Sequence, residues 1–151
     1  GYKQTRLGWC YGDLTLAFVL YQYGVYFNKL DIRDLALEVL LHCTKRRLFH
    51  ETMVKDAGLC HGSAGIAHVF NKMFHYTRNP VFKEACEHWI IDTINWTEFE
   101  DNEIIYPFFN GVIGAYKKDL TLLSGTPGIG LVLLSYLTGD FTWDYCLMLN
   151  D

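Results

Sequence analysis

The segment "GLCHGSAGIAHVF", Gly58–Phe70, decides how the rest of the sequence is interpreted. It places a cysteine and a histidine, Cys60 and His61, directly before a run of small and apolar residues. A run that is apolar on nearly all sides is typical of a buried helix. The segment therefore predicts two metal-capable side chains at the start of a core helix.

Two other segments align with this one, "WCYGDLTLAFVLY" from Trp9 and "LLSGTPGIGLVLL" from Leu122. The copies are offset by 50 and 63 residues, a period that suits units of two helices. Two columns of the alignment contain only small residues, Gly12, Gly62 and Gly125 in one, and Ala17, Ala67 and Gly130 in the other. The sequence therefore predicts three related helical units.

Each unit pairs an apolar helix with an amphipathic one. The apolar helices, which we expect to be buried, cover Leu14–Tyr23, Ser63–Tyr76 and Thr126–Leu137. In the first two units an amphipathic helix follows, capped by Asp31 in one and begun by Asn79-Pro80 in the other. The expected fold is all-α, with about six helices in inner and outer pairs, as a segment of an α/α toroid.

The segment Glu98–Leu123 interrupts the helical pattern. Asn110-Gly111 lies between apolar runs and predicts a turn, so we expect a long loop with a short hairpin. A loop of this length is either a functional element or a surface connection, and the sequence leaves both open. The final amphipathic segment, residues 141–150, is shorter and less regular than its two counterparts.

Composition and charge argue against several classes of protein. The chain has 151 residues, of which 50% are hydrophobic, so it can form a sizeable core. A net charge of −4 without a long basic run argues against nucleic-acid binding. No apolar run approaches the ~18 residues of a membrane span. Five irregularly spaced cysteines argue against a disulfide scaffold and favour a reducing compartment, so we expect a cytoplasmic protein.

The repeat brings two cysteines into matching positions, Cys10 and Cys60, at the starts of adjacent inner helices. Neighbouring helix axes lie ~8–10 Å apart, so both side chains can reach one ion, with His61 as a third ligand. Zinc prefers thiolate and imidazole ligands, and three of them leave a fourth position for water or substrate. The alternative is that both cysteines are small buried apolar residues and that His61 is a capping or core group.

The remaining histidines and cysteines are given structural roles. We expect His68 and His75 to be core or groove residues, and His42, His50 and His88 to be solvated. We expect inert thiols at Cys43, Cys86 and Cys146.

Three motifs together resemble the lanthionine synthetase C-like family, the lantibiotic cyclases. They are "RLGWCYG" at Arg6–Gly12, "CHGSAGI" at Cys60–Ile66 and "GTPGIGLVLL" at Gly125–Leu134, and the closing "WDYCLML" is similar to the end of those proteins. The resemblance covers most of the chain and corresponds to the C-terminal part of a typical member. We therefore expect residues 1–151 to be part of a cyclase-like toroid that is truncated at its N-terminus.

The resemblance implies a single zinc ion held by Cys10, Cys60 and His61, with Arg6 and Tyr11 as catalytic residues and Trp9 in substrate binding. Members of the family add peptide cysteine thiols to dehydroalanine or dehydrobutyrine and so form the thioether rings of lantibiotics. A thiol bound to zinc loses its proton near neutral pH, and the thiolate attacks the β-carbon of the dehydro residue. The resulting enolate must then be protonated by a general acid.

The sequence departs from the family in two places. The family's acid–base histidine and its accompanying aspartate belong to the N-terminal part and have no match here. A Pro-Gly pair usually follows "WCYG", whereas this chain has Asp13-Leu14-Thr15, which predicts a different start of the first inner helix. We expect the parent protein to be an enzyme and this chain alone to show little cyclase turnover.

Three functions remain open at this point. The first is a zinc-dependent lanthionine cyclase, whose partners are a dehydrated precursor peptide and the missing N-terminal part or a dehydratase region. The second is a zinc module that binds a small thiol such as glutathione without catalysis. The third is a structural helical repeat with a vestigial metal site.

Overall fold

The computed structural model describes residues 5–147 and 149 and confirms an all-α fold with small strand pairs. Its helices are α1 (Asp13–Tyr26), α2 (Leu30–Cys43), α3 (Phe49–Thr52), α4 (Ser63–Thr77), α5 (Pro80–Asn95), α6 (Thr126–Thr138) and a final 3₁₀ helix (Thr142–Leu147). Within the described residues, no helix combines the length and hydropathy that crossing a lipid bilayer requires.

The three predicted inner helices form a row, in which α4 lies between α1 and α6. Helix α2 packs on α1, and α5 packs on α4. Every residue of α4 from Ser63 to Met73 is buried. By contrast, Leu16 of α1 and Leu137 of α6 are 62% and 79% exposed. The prediction that all three apolar helices are buried is therefore correct only for α4, because α4 alone has an inner neighbour on both sides among the described elements.

The sequence predicted the start of one outer helix correctly and the start of the other wrongly. Helix α5 begins as predicted, with Pro80 in its first turn and the Asn79 side chain accepting a hydrogen bond from the Val81 amide at 3.0 Å. Helix α2 begins at Leu30, so the prediction that Asp31 caps it is wrong. Asp31 lies inside the first turn, where its negative charge interacts favourably with the helix dipole.

Two glycines allow the inner helices to pack closely on the turns that precede them. A Cβ atom on Gly65 would lie 1.9 Å from the carbonyl oxygen of Leu59, and one on Gly128 would lie 1.9 Å from that of Leu122. Both approaches occur at the same position of the repeat. By contrast, a Cβ atom on Gly130 would have nothing within 4 Å.

The segment between α5 and α6 forms two antiparallel hairpins, which is more regular structure than the sequence predicted. The first hairpin pairs β1 (Glu98–Glu100) with β2 (Glu103–Ile105), and the second pairs β3 (Phe108–Asn110) with β4 (Ala115–Lys117). The Asn110 side chain accepts a hydrogen bond from the Val112 amide at 2.9 Å and so stabilises the second turn. The hairpin expected at Asn110-Gly111 is therefore confirmed.

The segment predicted over residues 141–150 is the short 3₁₀ helix rather than a third outer helix. Two positions of that prediction, Met148 and Asn150, lie outside the described residues. The 3₁₀ helix is fastened to α4 by the buried carboxylate of Asp144, which pairs with His68 and Lys72 at 2.8 Å each. The 3₁₀ helix is thus joined to α4 by a buried ion pair, and its residues Trp143 and Leu147 also pack against the core.

Candidate metal centre

Three equivalent turns, which we call the initiating turns, precede the inner helices at residues 6–12, 56–62 and 119–125. Backbone hydrogen bonds join them in a row. The amide nitrogen of Cys10 donates to the carbonyl oxygen of Cys60 at 3.0 Å, and the amide nitrogen of Cys60 donates to the carbonyl oxygen of Leu123 at 2.8 Å. These three residues occupy the same column of the repeat, so the predicted alignment of the copies is confirmed in space.

This row brings together the three predicted metal ligands. The ligand atoms of Cys10, Cys60 and His61 all lie within 4.8 Å of one another, and each residue is half-buried. In a tetrahedral site with zinc–sulfur bonds of ~2.3 Å, two sulfur ligands are about 3.8 Å apart, so small side-chain movements bring the cluster to that geometry. Within residues 5–147 and 149, no other group of three His, Cys, Asp or Glu side chains is close enough to share an ion.

The electrostatics of the cluster fit a cation. Without an ion, burial raises the pKa of Cys60 to about 12, and the neighbouring Cys10 thiol adds to this increase. Burial lowers the pKa of His61, while the carboxylate of Asp56 acts in the opposite direction. Two adjacent thiolates repel each other in a half-buried site, and a divalent cation removes this repulsion. A neutral imidazole beside them is the form that binds a metal.

The side chains of Arg6 and Tyr11 lie together on the first initiating turn. One guanidinium nitrogen of Arg6 donates to the Tyr11 hydroxyl at 3.0 Å, and another donates to the carbonyl oxygen of Met53 at 2.9 Å. The charge of Arg6 also lowers the pKa of Cys60, which places the guanidinium within electrostatic reach of the cluster. Tyr11 is 57% exposed, so its hydroxyl is accessible from solvent.

Trp9 is held between the first initiating turn and α4. Its Cβ atom lies 3.3 Å from the position that a Cβ on Gly65 would occupy, and its ring packs against the core. The residue is half-buried and precedes the ligand Cys10 in the chain. Trp9 therefore borders the cluster without contributing a metal ligand.

The first inner helix starts differently from the other two. Gly12 has a φ of 112°, whereas the equivalent Gly62 and Gly125 have φ values of −99° and −106°. At the position of Gly65 in α4 and Gly128 in α6, helix α1 has Thr15. The Thr15 hydroxyl donates to the carbonyl oxygen of Gly8 at 2.7 Å. Side chains rarely adopt the positive φ of Gly12, and a Cβ atom there would lie 2.2 Å from the carbonyl oxygen of Arg6.

An arginine missed by the pattern analysis fixes this first turn. Arg46 is buried and pairs with Asp13 at 3.0 Å, and it also donates to the carbonyl oxygens of Thr5 and Glu51. The local sequence pattern does not predict this burial. Two of the acceptors, the Asp13 carboxylate and the carbonyl oxygen of Thr5, are distant in sequence, whereas Glu51 is five residues away.

The second hairpin lies beside the ligand cluster. The ring of Phe108 in β3 contacts His61 edge-on, with ring centroids 6.0 Å apart. The Tyr116 hydroxyl in β4 donates to the carbonyl oxygen of Lys55 at 2.9 Å, just before the second initiating turn. Of the two possibilities that the sequence left open for this segment, its position favours a functional element.

A second buried polar cluster lies farther along α4, away from the ligands. His68 was expected in the core and is buried there, but its partners Lys72 and Asp144 were missed. Lys72 and Asp144 also line an open cavity of about 470 Å³ between the end of α4 and the 3₁₀ helix. The sequence signal was Lys72 within a helix that is largely apolar.

The other cysteines and histidines mostly lie where they were expected. Burial raises the pKa of Cys43 to about 11 and that of Cys86 to about 12, in keeping with inert thiols. Cys146, where an inert thiol was also expected, is exposed rather than buried. The histidines predicted to be solvated are exposed, namely His42, His50 and His88.

The fold and the cluster together define a helical repeat protein with a candidate Cys₂His metal site. The sequence profile of one family, described as lanthionine synthetase C-like protein, matches residues 2–148. The chain belongs to the lanthionine synthetase C-like family, as the three motifs predicted.

Proposed function

We propose that this chain binds one zinc ion through Cys10, Cys60 and His61 and activates a peptide cysteine for thioether formation. The reaction is addition of the cysteine thiol to dehydroalanine or dehydrobutyrine, as the family resemblance implies. The observation that carries the proposal is the convergence of three ligand atoms within 4.8 Å, from two units of the repeat. Three protein ligands leave the fourth tetrahedral position for a substrate thiol.

The roles of the neighbouring residues follow from their contacts. Zinc held by Cys10, Cys60 and His61 would favour the deprotonated form of a substrate thiol. The Arg6 guanidinium stabilises negative charge near the same cluster. Because Arg6 donates to the Tyr11 oxygen, the Tyr11 hydroxyl keeps its own proton for donation to substrate. Trp9 provides an apolar surface beside Cys10, which suits substrate binding.

The reaction can be balanced with these groups. The substrate sulfur forms a bond to the β-carbon of the dehydro residue, and the double-bond electrons move to the adjacent carbonyl oxygen. The α-carbon then takes up one proton, for which Tyr11 is the candidate donor. The proton that the substrate thiol lost is returned through solvent, so no external oxidant or reductant is needed.

Metal analysis of purified protein tests the site directly. We expect one zinc per chain in the wild type and none above background in Cys60→Ala. The matched control is Cys146→Ala, which removes an exposed thiol outside the cluster and should retain the full zinc content. Equal zinc in Cys60→Ala and the control would exclude the proposed ligands.

The role in thiol activation needs a separate experiment. In the cobalt(II)-substituted chain, a cysteine-containing peptide should increase the sulfur-to-cobalt charge-transfer absorption, and the same peptide with serine should not. Glutathione as the stronger ligand would favour the thiol-binding alternative. A spectrum unchanged by any thiol would overturn both. Free-thiol counts with a dehydrated peptide then measure turnover, which we expect to be small for this chain alone.

A further inference from the structure

Asp56 begins the second initiating turn, and its buried carboxylate connects two separate elements. The side chain accepts a hydrogen bond from the Gly58 amide at 2.9 Å through one oxygen, and from the Phe109 amide at 3.1 Å through the other. Gly58 belongs to the turn that carries Cys60, and Phe109 belongs to β3. One side chain, only 1% exposed, therefore joins the ligand turn to the second hairpin.

The backbone of Asp56 closes the same turn. Its carbonyl oxygen accepts a hydrogen bond from the amide of Ser63, the first residue of α4, at 3.1 Å. Cys60 and His61 lie between these two attachment points. The conformation of both ligands is thus defined at the start and at the end of the turn by a single residue.

The link to the hairpin also determines what covers His61. Phe109 is held by Asp56, and the preceding Phe108 places its ring against the imidazole of His61. On the other side of Phe109, the Lys55 ammonium lies 4.2 Å from the ring centroid. The hairpin is therefore attached to the turn at adjacent positions and forms a wall beside the cluster.

The third unit offers an internal comparison. Asp119 occupies the position equivalent to Asp56, and its carboxylate accepts hydrogen bonds from the amide and hydroxyl of Thr121 at 2.8 and 2.6 Å. It forms the same type of local turn, but this turn carries no ligand. Among the described residues its carboxylate has no hydrogen bond to either hairpin, and it contacts the second hairpin only through a partly exposed ion pair with Lys117 at 3.9 Å. The buried hydrogen bond between turn and hairpin is therefore a property of Asp56.

We propose that Asp56 is a positioning residue that couples the metal-ligand turn to the second hairpin and so sets the wall of the substrate site next to His61. The inference deepens the proposed function, since it rests on zinc binding at that turn. Its physical basis is that a buried carboxylate with two amide donors at different elements fixes both of them. Residues that hydrogen-bond metal ligands typically contribute about 10–100-fold to metal affinity, and Asp56 acts on Cys60 and His61 one step removed, through the backbone of their turn.

The first test compares Asp56→Asn with the matched control Asp119→Asn. The Asn side chain keeps one acceptor oxygen, but its NH₂ group cannot accept a hydrogen bond. One of the two hydrogen bonds, from the Gly58 amide or from the Phe109 amide, is therefore lost. We expect zinc affinity, measured by competition with a chromophoric chelator, to fall about 10–100-fold in Asp56→Asn. We expect it to be unchanged in Asp119→Asn. Equal affinities in the two variants would overturn the proposal.

The second test is independent of metal and of activity. In the metal-free chain, limited proteolysis at the exposed hairpin tip, residues 111–114, reports how firmly the hairpin is held. Cleavage should be at least about tenfold faster in Asp56→Asn than in the wild type, because tip opening then requires one buried hydrogen bond fewer. Asp119→Asn loses only the partly exposed ion pair with Lys117 and should be cleaved at close to the wild-type rate. If the wild type binds no zinc, the metal centre is wrong, while the proteolysis result still decides the role of Asp56.

A third pair of variants keeps the test valid if Asp56→Asn does not fold. Phe109→Pro removes the amide donor and leaves Asp56 in place, and Phe109→Ala removes the ring but keeps the donor. We expect faster cleavage at the tip in Phe109→Pro than in Phe109→Ala. The same rate in both would show that the hairpin is held by the ring alone and would overturn the coupling.

Discussion

The amide of Cys10 donates a hydrogen bond to the carbonyl oxygen of Cys60, at 3.0 Å. Because this bond joins the backbones of two units, the two thiols are brought together before any ion is present. The candidate site is preformed, and metal binding needs only side-chain adjustment and loss of protons.

Thiol labelling tests this arrangement. In the metal-free chain, we expect exposed Cys146 to react first with iodoacetamide and half-buried Cys10 and Cys60 more slowly. Zinc should protect Cys10 and Cys60 and leave Cys146 reactive. Mass spectrometry after proteolysis assigns the labels, and Cys43 and Cys86 serve as buried controls. Zinc that protected Cys146 equally would contradict the assignment.

Substitution of Gly65 should damage both stability and metal binding. Gly65→Ala puts a Cβ atom 1.9 Å from the Leu59 carbonyl oxygen, so the turn that carries Cys60 must move. We expect a loss of about 1–3 kcal/mol or more in urea unfolding, together with reduced zinc content. The matched control is Gly130→Ala in α6, where nothing lies within 4 Å, and which should stabilise by about 0.5–1 kcal/mol. A neutral Gly65→Ala would refute the close approach.

Much of the fold and the ligand set could be predicted, because both depend on the local repeat. The alignment of Cys10 with Cys60 in the repeat predicts that their turns are adjacent. The apolar sequence that follows Ser63 predicts that α4 forms the centre of the core. Asp56 and Arg46 could not be assigned, since each contacts elements that are distant in sequence. The exposure of α1 was not predicted, because the hydrophobic pattern of a helix does not show how many other helices pack against it.

Lys72 and Asp144 should stabilise the folded chain only when both are present. Lys72→Met leaves the fully buried Asp144 carboxylate without its ammonium partner, for which we expect a cost of about 3–5 kcal/mol in urea unfolding. Asp144→Asn in the same background removes the unpaired charge, so the double variant should be more stable than the sum of the single effects predicts. Strict additivity would show that the two groups do not interact.

The same cluster predicts loss of stability in acid. Burial lowers the pKa of His68 more than the hydrogen bond with Asp144 raises it, so the unfolded chain takes up the proton at higher pH than the folded chain. The stabilisation that neutral His68 contributes is complete above the pKa of an unfolded histidine, ~6.5. It is lost as the pH falls toward the lower pKa of His68 in the folded chain. Burial raises the pKa of Asp144, but its partners His68 and Lys72 outweigh this effect and hold it below the usual range. The contribution of Asp144 is therefore lost only below pH ~4.

Urea midpoints between pH 7 and pH 5 measure the histidine contribution. The wild type should become less stable over this range, and His68→Gln should have a smaller slope. The control is His42→Gln, which replaces an exposed histidine outside the cluster and should keep the wild-type slope. Identical slopes for all three proteins would assign the acid sensitivity to other groups.

The backbone hydrogen bonds between the initiating turns keep the units in register, whatever the length of the chain that connects them. The connection from α2 to the second initiating turn covers residues 44–55, while the connection from α5 to the third covers residues 96–118. Despite this difference, Cys60 bonds to the units on both sides through the same column of the repeat. The position of Cys60 in the row is therefore set by the backbone hydrogen bonds and not by the length of the connecting segments, so a connection can carry two hairpins while the neighbouring units stay in register.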